Sequence, residues 1–142
     1  MIRKMVTDDI LNIVDLEHKV LNTSLGDKFL YNEVNFNPFA HYYVYEINNQ
    51  IIAYLGTRVY DSNSEILNFA VDSDYQNKGY GQKLFDHVIK DFNKLGVKST
   101  TLEVRVSNIQ ALNFYTKNKF KKAALRKKYY GNEDGFLLIK EL

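Results

Sequence analysis

The chain has 142 residues, 45% of them hydrophobic and 25% charged, which excludes a disordered polymer and sets the expectation of one domain over residues 1–142. Apolar runs such as Ile51–Leu55 fall far short of the ~20 residues of a membrane-spanning helix, and zero cysteine excludes disulfides, thiolate metal sites and a cysteinyl acyl intermediate. The net charge of +2 hides an asymmetry: residues 1–103 carry ten basic and fourteen acidic side chains, whereas residues 104–142 carry nine and three.

Met1–Met5 lacks the long apolar core of a signal peptide, and a cytoplasmic protein is expected. Thr7-Asp8-Asp9 reads as a helix start, with a hydroxyl N-cap and acids in the first turn. Ile10, Ile13, Val14 and Leu21 then form a stripe of helical period, with Glu17 and His18 on the turns between. A second helix is expected over Lys28–Val34.

The period changes to two over His41–Ile47 and Gln50–Tyr60, separated by Asn48-Asn49, a pair that tolerates positive φ in a tight hairpin. Asp61–Ser64 turns the chain into a third strand, Glu65–Val71. A Gly-bearing loop leads to the most amphipathic helix, Gly81–Leu95, closed by Gly96. Ser99–Val106 reads as a strand with Leu102, Val104 and Val106 on one face and Thr101, Glu103 and Arg105 on the other. A short helix over Asn108–Lys119 and two strands, Phe120–Tyr130 and Gly135–Leu142, complete the chain. The order is β-α-α-β-β-β-α-β-α-β-β. The long helix joins two strands that should be parallel neighbours, and the rest of the sheet should be antiparallel with helices on both faces, a single-domain mixed α/β fold.

His18, His41 and His87 show no metal-ligand spacing and no nucleophile context, so no metal site is expected. The segment that carries chemistry is Val71–Gly81, with the kernel Gln76-x-x-Gly79-x-Gly81 directly before the long helix. Glycines allow backbone N–H groups close to an anion, and a helix N-terminus adds unpaired donors and about half a positive charge, so the loop reads as a pyrophosphate cradle. It is neither a dinucleotide fingerprint nor a Walker A loop, and an ordinary turn is the alternative.

Glutamine or arginine, two residues, glycine, one residue, then glycine or alanine is the pattern of the GNAT acetyltransferases, which this segment resembles. Leu102–Asn108, Ala111, Phe114-Tyr115 and Phe120 extend the resemblance over most of the chain. Leu102-Glu103-Val104-Arg105, the Ser107-Asn108 pair before an aromatic-Tyr helix, and Arg126–Tyr130 ahead of Glu133-Asp134-Gly135 resemble the branch that acetylates the N-terminal alanine of ribosomal proteins. The loop Val20–Gly26 lacks the Pro-Trp pair common in that branch, and Ser73 stands where proline is frequent.

The resemblance implies that acetyl-CoA lies between the two parallel strands. Backbone groups of Phe69, Ala70 and Val71 would pair with the pantetheine arm, Gln76, Asn77, Lys78, Gly79, Tyr80, Gly81 and Gln82 would hold the pyrophosphate, and Asn108 would bond the cofactor from the other side. It further implies Glu103 as general base, directly or through a water, Tyr115 as general acid, and Tyr129 and Tyr130 as the border of an acceptor groove. A strand N–H near Val71 would polarise the acetyl carbonyl. Glu103 could instead pair with Arg105 or another base, and Tyr115 could be a core aromatic. The acceptor implied is a protein N-terminus, with that of a small-subunit ribosomal protein as the candidate, and neither membrane nor DNA is implied as partner. A small amine (polyamine, amino acid or antibiotic) is the alternative acceptor. An α-amine, with a pKa near ~7.7–8.0 against ~10.4 for lysine, suits a modest base better. An RNA-binding module, using the basic cluster of residues 117–128 with Tyr129 and Tyr130, is the alternative of another class, although no RNP, KH or helix-turn-helix motif accompanies it.

Overall fold

The sheet has seven strands: β1 (Ile2–Lys4), β2 (Ala40–Ile47), β3 (Gln50–Tyr60), β4 (Asn63–Val71), β5 (Ser99–Arg105), β6 (Lys121–Arg126) and β7 (Gly135–Glu141), in the spatial order β1-β2-β3-β4-β5-β7-β6. The structure, a computed structural model, describes residues 1–142. Four helices accompany it: α1 (Ile10–Leu21), α2 (Asp27–Phe36), α3 (Tyr80–Lys94) and α4 (Ile109–Lys117). Only β4 and β5 run parallel, joined by α3; every other pair is antiparallel. The mixed α/β expectation and the element order hold.

The hairpin between β2 and β3 turns on Asn48 and Asn49, at φ 50° and 64°. Paired positive φ matches the right-handed twist of the strands, so the register follows from the turn. At the N-terminus the chain differs from expectation. Thr7–Asp9 is one turn of 3-10 helix, and Asp9, rather than the Thr7 hydroxyl, organises it: its carboxylate accepts from the Val6 N–H (2.8 Å) and from Arg3 (2.8 and 3.0 Å). Burial pushes the Asp9 carboxyl up, but these donors outweigh it and hold the group below its ordinary range.

Each face of the sheet has its own core. Leu84, Phe85, Val88 and Phe92 of α3 pack with Tyr43, Leu55, Leu102, Val104, Tyr115 and Phe120 on one face. Ile10, Ile13 and Leu16 of α1 and Leu30 of α2 pack with Tyr42, Val44, Tyr54 and Ala70 on the other. Leu102 and Val104 therefore point toward α3, and alternation directs Glu103 to the opposite face.

The parting of β4 from β5 sets the site. The two strands pair only from Asn63–Ser99 to Glu65–Thr101. Beyond that point β4 carries a bulge against β3: Thr57 faces Ile66 while Gly56 faces Asn68, leaving Leu67 as the extra residue. A bulge bends its strand and sharpens the local twist, so β4 leaves β5 where the bulge begins.

Candidate active site

The strand end and the loop after it form one wall of a cleft of about 660 Å³. Past Val71, the Asp72 carboxylate caps a short turn by accepting from the Asp74 N–H (3.0 Å), and Lys19 of α1 donates to it at 2.8 Å. Burial raises the Asp72 carboxyl, yet Lys19 and the Asp74 N–H outweigh it and hold the group low. Gln76 folds back, its amide donating to the Val71 carbonyl at 2.8 Å. Asn77 (φ 62°) and Gly79 (φ 87°) then swing the chain into α3, whose first-turn N–H groups stand open beside the cleft. Gly81 lies close to the strand: a Cβ there would stand a tight 3.1 Å from Val71 Cγ2, which would have to shift by a few tenths of an ångström, and an ordinary 3.5 Å from Phe69 Cζ.

Phe69, Ala70, Val71, Gln76, Asn77, Gly79, Gly81, Gln82 and Asn108, all expected cofactor residues, line this cleft together with Tyr115. Lys78 and Tyr80 are not among the lining residues, so a part for them in holding the pyrophosphate rests on their backbone N–H groups. The Tyr80 ring packs edge-on against Tyr45 and Tyr75 at 5.3 and 5.8 Å, and Lys78 lies over the Tyr75 ring. Two further expected ligand groups are partly engaged. Gln82 exchanges hydrogen bonds with Asn118 at 2.7 and 3.1 Å, clamping α3 to the end of α4. The Asn108 side-chain Oδ1 caps α4 by accepting from the Ala111 N–H (3.1 Å), which leaves the NH₂ of the same side chain as the donor for a ligand.

Tyr115, on α4, is packed between Phe114 and Phe120, with ring centroids at 5.4 and 5.2 Å. Burial pushes its phenol above the ordinary range, so it stays protonated at neutral pH. Glu103 does not line the cleft and lies on the other face of β5. Its Oε1 accepts from Arg126 Nε at 2.9 Å, while its Oε2 is buried with no partner. Burial raises the Glu103 carboxyl, Arg126 opposes it, and Glu65 adds to the rise; the net shift is upward.

Arg126 also leads into the segment that carries the two tyrosines. They do not sit on a strand as expected, because β6 ends at Arg126 and Lys127–Tyr130 is a turn. Asp134 holds that turn by accepting from the Lys128 N–H at 2.8 Å. The Tyr129 and Tyr130 rings meet edge-on at 4.9 Å, with Arg126 over the first (5.9 Å) and Arg105 over the second (4.4 Å). The Tyr130 hydroxyl is pushed up to about 12, by burial first and then by Tyr129 and Glu103. Arg105 itself is committed to Glu133 (3.1 Å), and the ion pair weighed as the alternative for Glu103 is made with another base, Arg126.

Three residues of α1 were not singled out from sequence as site residues. Val20 and Leu21 of α1 line the cleft opposite the loop. Glu17 is fully buried, with no cation beside it, and accepts from the Tyr54 hydroxyl (2.5 Å), Asn68 Nδ2 (2.6 Å) and Ser24 Oγ (2.7 Å). It ties the loop after α1 to β3 and β4. A carboxylate at helical spacing from Ile10, Ile13 and Leu21 was the available signal. No group of three or more His, Asp or Glu side chains that could hold a metal ion is gathered in the structure.

The acetyltransferase (GNAT) family model matches residues 8–120. An Escherichia coli protein named ribosomal protein bS18-alanine N-acetyltransferase is 39% identical over 88 residues, an alignment spanning 62% of this chain and 60% of that one. A Bacillus subtilis protein carrying the same name provisionally is 28% identical over 139 residues, 96% of this chain and 92% of its own. The crystal structure of the ribosomal-protein-S18-alanine N-acetyltransferase from Escherichia coli superposes with a TM-score of 0.91 at 27% identity, over 99% of this chain and 92% of that one. With the cleft at the parted strands, the glycine loop before α3 and a family match over most of its length, this chain belongs to the GNAT family of acetyltransferases.

Proposed function

We propose that the chain, acting as one domain over residues 1–142, transfers the acetyl group of acetyl-CoA to the N-terminal alanine amine of a ribosomal protein. The observation that carries the transferase reading is the cleft where β4 and β5 part, which opens onto the glycine loop at one side and Tyr115 at the other. The names of the relatives support the acceptor. The unpaired Glu103 Oε2 supports the chemistry, because a buried carboxylate oxygen without a donor is suited to an ammonium or a water.

In this reading the first-turn amides of α3 hold the pyrophosphate, and the free edge of Phe69–Val71 pairs with the pantetheine amides as a missing strand would. The amine nitrogen attacks the thioester carbonyl carbon. Glu103 takes the amine proton, directly or through a water, an N–H near Val71 stabilises the carbonyl oxygen, and Tyr115 supplies a proton to the departing sulfur. Tyr129 and Tyr130 border the entry of the acceptor. No helix is long and apolar enough to cross a membrane.

The test is a side-by-side rate comparison at saturating acetyl-CoA. A short peptide beginning with alanine is expected to be acetylated far faster than spermidine or free lysine, because a site built for an α-amine and the first peptide groups leaves its polar groups unsatisfied by a small amine. Tyr130→Ala should raise the peptide KM and leave the acetyl-CoA KM unchanged. If spermidine or an antibiotic amine is the better substrate, the protein-acceptor reading is wrong.

The cofactor assignment has its own test at Gly81. A valine there would press on Val71 and Phe69 and displace the helix start from the strand. Gly81→Val is expected to weaken acetyl-CoA binding at least ~10-fold, about 1.4 kcal/mol, by calorimetry on the folded variant. Unchanged affinity would remove the pyrophosphate from this loop.

A further inference from the structure

From the charge of the sheet edge beside Glu103, we infer that the acceptor is presented with RNA: the basic strand β6 and its flanks dock the phosphate backbone that surrounds the amine to be acetylated. The inference rests on the protein-acceptor reading above and adds the surroundings of that acceptor. β6 is the last strand of the sheet, paired only with β7, and all of its residues are exposed. Lys119, Lys121, Lys122, Lys127 and Lys128 are exposed and make no salt bridge, and no acid occurs between Glu103 and Glu133 to neutralise them. The strand is continuous with the acceptor side, because Arg126 at its end holds Glu103 at 2.9 Å.

The chemistry of the free cations selects the partner. Both arginines near the edge are engaged, Arg126 with Glu103 and Arg105 with Glu133. Each therefore already neutralises a carboxylate of this chain, Arg126 through Nε and Arg105 through Nη1, and is less available to the carboxylates of an acidic peptide. What remains are lysines, point charges suited to phosphates in any sequence, next to the half-exposed ring of Tyr129, on which a base can stack. Lysines on an edge strand also discourage strand-to-strand aggregation. Glutamate does so equally well, which allows the two roles to be separated by charge reversal.

The experiment uses the full chain and a labelled RNA hairpin, followed by fluorescence anisotropy across a salt series, with and without saturating coenzyme A. Binding is expected, with an affinity that falls steeply with salt and is unaffected by coenzyme A. The triple variant Lys121→Glu, Lys122→Glu, Lys127→Glu should bind at least tenfold more weakly, with the slope of log affinity against log salt reduced by about 2–3. The same variant should acetylate the free alanine peptide at the native rate. Absence of hairpin binding, displacement of the hairpin by coenzyme A, or equal binding of a polyglutamate peptide would each overturn the inference, as would a loss of peptide acetylation in the variant. A wild-type protein that binds the hairpin yet leaves the alanine peptide unacetylated would refute the acceptor reading instead.

Discussion

Tyr115→Phe is expected to lower turnover ~10²–10⁴-fold, the usual worth of a positioned proton donor, with acetyl-CoA affinity unchanged. The ring packing against Phe114 and Phe120 survives the substitution, so the fold should not suffer. Burial makes this phenol a weaker acid than tyrosine in water. It is therefore poorly suited to giving up its proton early. Its value lies in a hydrogen bond that strengthens as charge develops on the departing sulfur, with the proton following the charge. A Tyr115→Phe enzyme with near-native kcat would leave Tyr115 as part of the aromatic core alone.

Glu103→Gln should cost a similar factor at pH 7, and the loss should shrink as pH rises through the pKa of the acceptor amine, near ~8, because a neutral amine needs no base. Arg126 offers a second handle on the same group. Burial raises the Glu103 carboxyl, and Arg126 pulls against it. Arg126→Ala removes that opposition, so the carboxyl should rise further and remain protonated to higher pH. The acidic limb of kcat/KM is expected to move upward, with activity at pH 6 falling more than activity at pH 8. A limb that stays in place, together with a Glu103→Gln enzyme of native rate, would reduce the pair to a structural ion pair.

Much of this architecture could be read from local patterns. The Asn48-Asn49 hairpin needs only the tolerance of asparagine for positive φ, and both residues adopt it. The junction before α3 was visible because Gly79 must take φ 87° and Gly81 must lie against Val71 and Phe69. What escaped the sequence depends on partners brought together by topology. The order β5-β7-β6 carries Arg126 across β7 to Glu103, a pairing that no spacing between positions 103 and 126 encodes. Tyr129 and Tyr130 look like strand residues until Asp134 closes the turn beneath them. Lys78 and Tyr80 sit in the right segment, but the twist of the loop directs their side chains to Tyr75 and Tyr45.

The short ladder between β4 and β5 has a mechanical meaning. Residues 63–65 and 99–101 are the one stretch where the two parts of the sheet are laced together, and α3 spans the seam above them. A seam fastened at one end yields at the other, so the line of least resistance to opening runs along Phe69–Val71, where the cofactor is proposed to lie. A bound pantetheine would act as the missing stitches. The free protein should accordingly be the more compliant of the two states, and the loss of the cofactor after transfer is the moment at which the two halves regain their freedom to part.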